Sequence, residues 1–371
     1  MSSRVNIADE LAARGITRRE FMKFCTVMAG ILALPADQAP KIAQALESAR
    51  RPSVIWLEFQ DCAGCTESLL RANRPTVAEL VLDIISLNYH ETVMAPSGHA
   101  AEKSLHDTIR EGGYITVVEG SIPVKDDGVY CCIAGRSALE ILKEAAANTA
   151  AIITVGACAF YGGWPATPPN PTGAKGVKDI ISGVPIVNLP GCPMNADNLT
   201  ATIVHYLTFK ELPALDDLGR PLFAYGRRIH DNCERRGHFD AGEFVEAWGD
   251  EGHRNGWCLY KMGCKGPVAF QNCPSIRWNE GTSWPVGAGH GCIACAAPNF
   301  WEMPAYEPVP IHVLTPPTAY PEVKPVVEIS PTAAGAIGAA VGVAAGVAGT
   351  VALYQLTKKK EEESHGSENS D

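Results

Sequence analysis

The sequence predicts an α/β protein in which a parallel sheet wrapped by helices precedes an irregular, cysteine-rich region and one membrane-spanning helix. Between residues 53 and 209, short β-branched runs alternate with amphipathic stretches, which is typical of β–α–β units. After Pro213 the long periodic segments stop, while Gly, Pro, Trp, Cys and His become dense. From Ile329 to Thr357 no charged residue occurs.

The elements of the regular part follow from their apolar periodicity. Short apolar runs predict strands, and apolar residues at helical spacing predict the helices between them. The predicted strands are Val54–Phe59, Ile84–Tyr89, Tyr114–Val118, Ala151–Val155 and Pro185–Leu189. The predicted helices are Leu69–Leu82, Ala101–Arg110, Ser137–Ala147 and Asp197–Phe209.

Composition narrows the class of protein. The chain has 371 residues, enough for about two domains of ~150 residues. With 46% hydrophobic residues, most of it can bury a core and is not disordered. A formal charge of -10 disfavours nucleic acid as a partner, because phosphate would be repelled. Thirteen cysteines are the most unusual feature of the composition.

The N-terminus predicts an export signal over residues 1–45. The segment Thr17–Lys23 contains an Arg pair followed by Phe and Lys, and the apolar run Phe24–Leu34 comes next. Ala43 and Ala45 offer small residues for a signal peptidase. This pattern favours a twin-arginine signal over a chance Arg pair on an amphipathic helix. Since that route carries folded proteins, the chain would acquire its cofactors in the cytoplasm, and residues 1–45 are excluded from the mature fold.

The C-terminus predicts a membrane anchor. The segment Ala333–Tyr354 could span ~30 Å of hydrocarbon as a helix, and lysines follow it at once, which places the tail in the cytoplasm and the body outside. Small residues at a four-residue spacing favour a membrane helix over a buried Ala- and Gly-rich helix. These residues are Gly338, Gly342 and Gly346. The predicted segments are a linker 318–332, a transmembrane helix 333–357 and a tail 358–371.

Four cysteines follow predicted strands at their carboxyl ends. Cys62 and Cys65 follow the first strand, Cys158 the fourth and Cys192 the fifth. Open parallel sheets bind ligands in the crevice beyond these ends, so the four thiols are expected to converge on one site.

Two more groups lie in the irregular region. The first group is His230, Cys233, Cys258 and Cys264, and the second is Cys273, Cys292 and Cys295. The three groups could form disulfides, bind zinc ions or hold iron–sulfur clusters. Disulfides rarely form in a reducing compartment, and structural zinc wants four protein ligands where the second group offers three. Clusters accept every group, since a cubane needs four ligands and a three-iron cluster needs three.

The ordered motifs resemble the small subunit of membrane-bound nickel–iron hydrogenases. They are DCAGCTES from Asp61, EGSIP from Glu119, VGAC ending at Cys158, LPGCP around Cys192, CKGP from Cys264 and GHGCIAC ending at Cys295. The resemblance covers the chain from signal to anchor. It implies a flavodoxin-like domain over 46–212 and an iron–sulfur cluster-binding domain over 213–317.

The resemblance also implies the cofactors. A proximal [4Fe-4S] cluster would be held by Cys62, Cys65, Cys158 and Cys192, and a medial [3Fe-4S] cluster by Cys273, Cys292 and Cys295. A distal [4Fe-4S] cluster would be held by His230, Cys233, Cys258 and Cys264. The nickel–iron centre belongs to a separate large subunit, so this chain contributes no catalytic residue and conducts electrons from H2 oxidation.

The implied setting is the periplasmic face of a bacterial inner membrane. The partners would be the large subunit, in a heterodimer or a dimer of heterodimers, and an integral-membrane acceptor such as a cytochrome b or a quinone-reducing module. Two alternatives remain open at this point. One is the related subunit of a quinone-reducing respiratory complex, which resembles only the N-terminal half. The other is a zinc-stabilised structural protein anchored in the membrane.

Overall fold

A five-stranded parallel sheet forms the centre of the N-terminal half. The computed structural model describes residues 17–48, 51–72, 84–279 and 281–311. The strands are β1 (Ser53–Glu58), β2 (Ser86–His90), β3 (Ile115–Glu119), β4 (Ala151–Val155) and β5 (Ile186–Leu189). They pair in parallel in the order 2-1-3-4-5, which is the flavodoxin-type order. The predicted α/β fold with a parallel sheet is confirmed.

Alternating side chains cover both faces of this sheet. Along β1, Val54 and Trp56 point into one hydrophobic cluster, and Ile55 and Leu57 point into another. This period-two alternation puts apolar residues on both faces, so helices must cover the sheet on both sides. A continuous β-branched run therefore becomes a strand that is buried throughout.

Eleven α-helices occur among the described residues. Those of the N-terminal half are α1 (Arg18–Ile31), α2 (Ala39–Ser48), α3 (Gly64–Leu70), α4 (His99–Glu111), α5 (Ala138–Ala147), α6 (Gly156–Tyr161) and α7 (Ala196–Phe209). Those of the C-terminal half are α8 (Leu222–Tyr225), α9 (Arg236–Asp240), α10 (Glu251–Arg254) and α11 (Cys273–Ile276). Buried residues of α4 and α5 pack on one face of the sheet, and those of α3 and α7 pack on the other.

Helices α1 and α2 pack with α7 in the same hydrophobic cluster. Cys25, Met28 and Ile42 are fully buried there, and the Lys41 ammonium lies 4.5 Å from the centre of the Phe209 ring. Helix α1 begins with a capping box between Thr17 and Glu20, so the Arg pair lies in its exposed first turn. In the uncleaved chain the predicted signal thus covers part of the body, and its removal stays a prediction.

One helix differs from its predicted position. The described helix α3 spans Gly64–Leu70, whereas the prediction was Leu69–Leu82, of which residues 73–82 lie outside the described residues. The early start has a non-local cause. The Glu119 carboxylate on β3 accepts hydrogen bonds from the N–H groups of Cys65 and Thr66 and so caps the first turn of α3.

The C-terminal half has little regular structure. Its longest described helix has five residues, and short 3₁₀ turns and isolated bridges make up most of the rest. A separate hydrophobic cluster holds it together, with Val245, Leu259, Trp284 and Phe300 among its buried members. The separate cluster fits the predicted division near residue 212, which stays a prediction because the described residues all fall in one compact unit, Met1–Leu314.

The predicted anchor falls on residues whose structure is not described. Across residues 17–48, 51–72, 84–279 and 281–311, no helix has the length and apolar character needed to cross a bilayer. The linker 318–332, the transmembrane helix 333–357 and the tail 358–371 lie outside the described residues, so these assignments stay predictions.

Candidate metal centres

The four strand-end cysteines meet at one edge of the sheet. Cys62 lies in the loop after β1, Cys65 in the first turn of α3, Cys158 in α6 after β4, and Cys192 in the loop after β5. Their charges interact: Cys158 and Cys192 act on Cys65, and Cys62 acts on both Cys158 and Cys192. The convergence expected from the sequence is present, and this group is called the proximal site.

Two glycines let the thiols of the proximal site lie against bare backbone. A Cβ atom at Gly156 would lie 2.6 Å from the Cys65 Sγ, and a Cβ atom at Gly163 would lie 2.4 Å from the Cys158 Sγ. Both residues have a positive φ, +85° and +58°, which glycine adopts without strain. Because Gly156 and Gly163 have no side chain, the sulfur atoms of Cys65 and Cys158 and any group that they bind can occupy this space.

Burial gives the proximal thiols a reason to bind metal. It raises the pKa of Cys158 to about 12 and that of Cys65 well above its ordinary value, and it also raises the pKa of Cys192. A buried thiolate without a counter-charge is unfavourable, and a bound cation compensates it by deprotonating the thiol outright. The Met194 N–H donates to the Cys65 Sγ at 3.4 Å and fixes its direction.

Three thiols line a cavity of about 320 Å³ in the C-terminal half. They are Cys273 at the start of α11 and Cys292 and Cys295 in the loop 288–299, and they form the medial site. Pro285 and Trp284 close part of the wall, and Cys192 of the proximal site reaches the same cavity. Burial raises the pKa of all three thiols, that of Cys295 to about 11. The medial site therefore adjoins the proximal site.

The remaining group surrounds a second pocket, the distal site. Its lining includes His230, Cys233, Cys258 and Cys264. His230 is 6% exposed, and its Nε2 has no hydrogen-bond partner although it is buried. Burial lowers the pKa of His230 to about 4, so the ring is neutral and its free nitrogen can act as a ligand. An orphaned imidazole nitrogen beside three thiols fits a metal group.

The spacing of these ligand atoms separates the competing interpretations. A single zinc ion with ~2.3 Å bonds brings its sulfur ligands to within roughly 4 Å of one another. Among the described residues, Glu58, Asp61 and Glu119 are the only three potential ligands whose atoms all lie within 4.8 Å of each other. All thirteen cysteines are described, and none is in a disulfide. The sets are too wide for one ion and suit a larger inorganic core.

Two family models match separate parts of the chain. Residues 62–206 match the family described as the 20 kDa subunit of NADH ubiquinone oxidoreductase, and residues 225–307 match the C-terminal part of the NiFe/NiFeSe hydrogenase small subunit. The chain is 48% identical over 304 residues to the periplasmic [NiFe] hydrogenase small subunit 1 of Nitratidesulfovibrio vulgaris, covering 81% of this chain and 96% of that protein. The chain belongs to the small subunits of nickel–iron hydrogenases.

Other small subunits and two solved structures are similar along most of their length. The quinone-reactive Ni/Fe-hydrogenase small chain of Wolinella succinogenes is 48% identical over 305 residues, 81% of this chain and 86% of that protein. A structure of the Ni-Fe-Se hydrogenase from Desulfomicrobium baculatum matches with a TM-score of 0.66 and 36% identity, covering 70% of this chain and all of that one. The actinobacterial-type hydrogenase of Ralstonia eutropha gives a TM-score of 0.64 and 25% identity, over 85% and 92% of the two chains.

The small subunit also has a buried carboxylate group that the sequence analysis missed. Glu58 and Glu119 end β1 and β3, and the Thr66 hydroxyl lies 3.1 Å from the Glu58 Oε1 and 2.6 Å from the Glu119 Oε2. Glu91 accepts a hydrogen bond from the Glu58 N–H at 2.8 Å. Burial raises the pKa of Glu119 to about 7 and that of Glu91 to about 8. A charged residue that ends an otherwise apolar buried strand was the available signal.

The other cysteines lie away from the three sites. Cys25 is fully buried in α1, and burial raises its pKa to about 12. Cys131 is half-buried and Cys132 is exposed, next to and within a two-stranded hairpin that ends at Arg136–Ser137. The structure gives none of the three a place in the proximal, medial or distal lining.

Proposed function

We propose that this small subunit holds three iron–sulfur clusters and conducts electrons between a large-subunit nickel–iron centre and a membrane acceptor. Hydrogenase small subunits carry iron–sulfur clusters, and the three ligand sets of this chain support one cluster at each site. Cys62, Cys65, Cys158 and Cys192 would hold a proximal [4Fe-4S] cluster. Cys273, Cys292 and Cys295 would hold a medial [3Fe-4S] cluster, and His230, Cys233, Cys258 and Cys264 a distal [4Fe-4S] cluster. When bound, the clusters supply one-electron steps along the chain.

The observation that carries this proposal is the order of the three sites. Cys192 belongs to the proximal set and also lines the medial cavity, while the Cys292 N–H donates to the Cys264 Sγ of the distal set at 3.2 Å. Each site therefore touches the next through a ligand residue. The protein itself buries Cys65, Cys258, Cys273 and Cys292, directs several ligand sulfur atoms with backbone N–H donors and holds the His230 ring neutral.

The setting of the chain belongs to the same proposal. The twin-arginine pattern and the name of the Nitratidesulfovibrio relative support export to the periplasm, and the charge-free segment 333–357 supports anchoring in the inner membrane. The name of the Wolinella relative supports an acceptor that feeds quinone, such as a cytochrome b or a quinone-reducing module. The large subunit would complete a heterodimer, or a dimer of heterodimers.

The two alternatives receive less support. The respiratory-complex subunit shares only the match over 62–206, whereas residues 225–307 match the hydrogenase small subunit. The zinc interpretation needs ligand atoms closer together than any of the three sites provides among the described residues. Neither alternative explains why the chain is similar to a hydrogenase small subunit over 81% of its length.

The proposal is tested at the distal site, which would be the exit of the conductor. In the purified heterodimer, His230→Ala should reduce hydrogen-dependent reduction of an external acceptor by about tenfold or more, because a cluster ligand is lost. The exchange of H2 with deuterium from the solvent is a reaction of the large subunit alone, so its rate should stay near that of the wild type. His238→Ala removes a half-buried histidine on the neighbouring helix α9, whose Nδ1 contacts the Glu243 carboxylate, and should change neither rate. Equal loss of both activities in His230→Ala would contradict an exit role.

A further inference from the structure

Lys265 is a buried lysine directly after the distal ligand Cys264. The residue is 1% exposed. Its Nζ donates hydrogen bonds to the carbonyl oxygens of Gly263 at 2.7 Å and Glu307 at 2.6 Å. Among the described residues, no carboxylate lies within 4.0 Å of this Nζ to pair with it. An ammonium that is removed from water and bonded only to neutral oxygens is costly unless other charges compensate it.

Two of the compensating charges belong to two different sites. The Cys264 thiolate of the distal site and the Cys292 thiolate of the medial site both act on the Lys265 ammonium, together with the Glu307 carboxylate on the surface. Burial lowers the pKa of Lys265, and these three negative groups oppose that effect. Two of the three groups that offset the burial of the cation are therefore ligands of the distal and medial sites, and the exposed Glu307 carboxylate is the third.

The backbone places Lys265 where the two ligand segments touch. The Lys265 N–H donates to the Cys292 carbonyl at 2.6 Å, and the Cys292 N–H donates to the Cys264 Sγ at 3.2 Å. A Cβ atom at Gly291 would lie 2.9 Å from the Cys264 Cα, so this contact requires glycine. The segments 264–265 and 291–292 thus form one junction, and the lysine charge is fixed beside it.

A fixed cation at such a junction has a predictable electronic effect. Reduction adds one negative charge to a cluster, and a nearby buried cation stabilises the reduced form more than the oxidised form. The effect is large where water does not screen the charges. One cation that adjoins two clusters raises both reduction potentials in the same direction. The difference between the two potentials therefore stays small.

We propose that Lys265 is a positioning residue that sets the reduction potentials of the medial and distal clusters jointly, through its buried ammonium. The proposal rests on the cluster assignments made above. It does not extend to the proximal cluster, because none of the proximal ligands lies in the segments 264–265 and 291–292 that form the junction. The hydrogen bond to the Glu307 carbonyl gives the residue a second, structural contact, so the test must separate charge from hydrogen bonding.

Potentiometric titration with low-temperature EPR on the purified heterodimer makes that separation. Lys265→Gln keeps an N–H donor but removes the charge, and we expect the midpoint potentials of the medial and distal clusters to shift negatively while the proximal potential stays in place. Lys265→Arg keeps the charge and should stay near wild type. Lys261→Gln removes an exposed lysine that pairs with Glu246 on the surface, and it should leave all three potentials unchanged.

The outcomes distinguish this proposal from the cluster assignment itself. Wild-type spectra without a three-iron and two four-iron signals would reject the assignment and the proposal together. If the wild-type spectra are as expected but the medial and distal potentials of Lys265→Gln match those of Lys261→Gln, the cluster assignment would stand and the proposed role of Lys265 would be wrong. Lys265→Met serves as a second neutral variant. If both neutral variants lost a cluster while Lys265→Arg kept all three, the residue would be an assembly determinant and the proposal would be wrong.

Discussion

The two halves of the molecule hold their candidate ligands in different ways. In the N-terminal half, one proximal ligand, Cys65, is a buried member of a hydrophobic cluster, while Cys62, Cys158 and Cys192 lie in the connections after the strands and take no part in the sheet hydrogen bonds. In the C-terminal half, the ligands Cys273 and Cys292 are themselves buried members of the hydrophobic cluster. The sheet positions its site, whereas the second half is built around its sites.

This difference teaches what each half needs in order to fold. Regular backbone pairing supplies the N-terminal half with stability before any metal binds. The C-terminal half has short helices and turns, so we expect its order to depend on the clusters proposed for its thiols, as in small metal-binding domains. Three experiments test this contrast, and they follow from the largest expected effect to the smallest.

Iron removal should act on the two halves unequally. After chelation of the purified heterodimer, we expect amide hydrogen exchange to become fast across residues 225–307 and to stay slow in β1, β3 and β4. The reason is that sheet hydrogen bonds do not pass through metal, whereas the second half loses the centre of its packing. Hydrogen exchange with mass spectrometry measures this per segment. Equal loss of protection in both halves would show that the contrast is false.

Replacing Pro285 should change one site without changing the fold around it. Pro285 lines the medial cavity together with the three thiols, so a thiol introduced at this position would face the same space. Pro285→Cys supplies the missing ligand, so we expect a [4Fe-4S] cluster, loss of the three-iron EPR signal and a lower potential. Pro285→Ala removes the ring without adding a thiol and should keep the three-iron signal. A three-iron signal that persists in Pro285→Cys would contradict the assignment of the medial site.

The smallest effect concerns pH and the N-terminal half. Glu91 and Glu119 have pKa values raised to about 8 and about 7, so the folded state binds their protons more tightly than the unfolded state does. Their stabilising contribution to the free energy of unfolding is complete at pH values below the unfolded-state pKa near 4.5. It is lost as the pH rises through the folded-state pKa values of about 7 and about 8. Each group adds a slope of at most ~1.4 kcal/mol per pH unit to the free energy of unfolding.

The Glu91→Gln variant isolates one of these groups. Denaturant titrations between pH 6 and pH 8.5 can be monitored by the amide hydrogen-exchange protection of the sheet. The free energy of unfolding should depend less steeply on pH in Glu91→Gln than in the wild type. Glu67→Gln removes a carboxylate that is 61% exposed and pairs with Arg71 on the surface, and it should leave the slope unchanged. A wild-type slope in Glu91→Gln would show that this carboxyl is not protonated in the folded state.

The sequence predicts the sheet well because its signal is local. All five strands lie within about two residues of their predicted positions, since β-branched runs that are buried on both faces leave few alternatives. The three ligand groups were also assigned from spacing and order along the chain. Their assignment to particular clusters stays a prediction, since cluster type depends on chemistry that the protein atoms alone do not carry.

The features that the sequence did not predict depend on distant contacts. Helix α3 begins at Gly64 because Glu119, more than fifty residues away, caps its first turn. The group of Glu58, Glu91 and Glu119 becomes a buried group only when β1, β2 and β3 lie side by side. The packing of α1 and α2 on α7 likewise joins the predicted export signal to a helix that begins only at Ala196. No local pattern contains this information.

The hydrogen bond from the Met194 N–H to the Cys65 Sγ closes a loop of 129 residues. Closing such a loop has an entropic cost that only a complete sheet offsets, because β5 brings the last ligand to the others. A partly synthesised chain can therefore present Cys62, Cys65 and Cys158 but not the full set. Under the proposed function, filling of the proximal site would report that the sheet has been made and folded as far as β5, which would give a cell a chemical mark of folding before the predicted export.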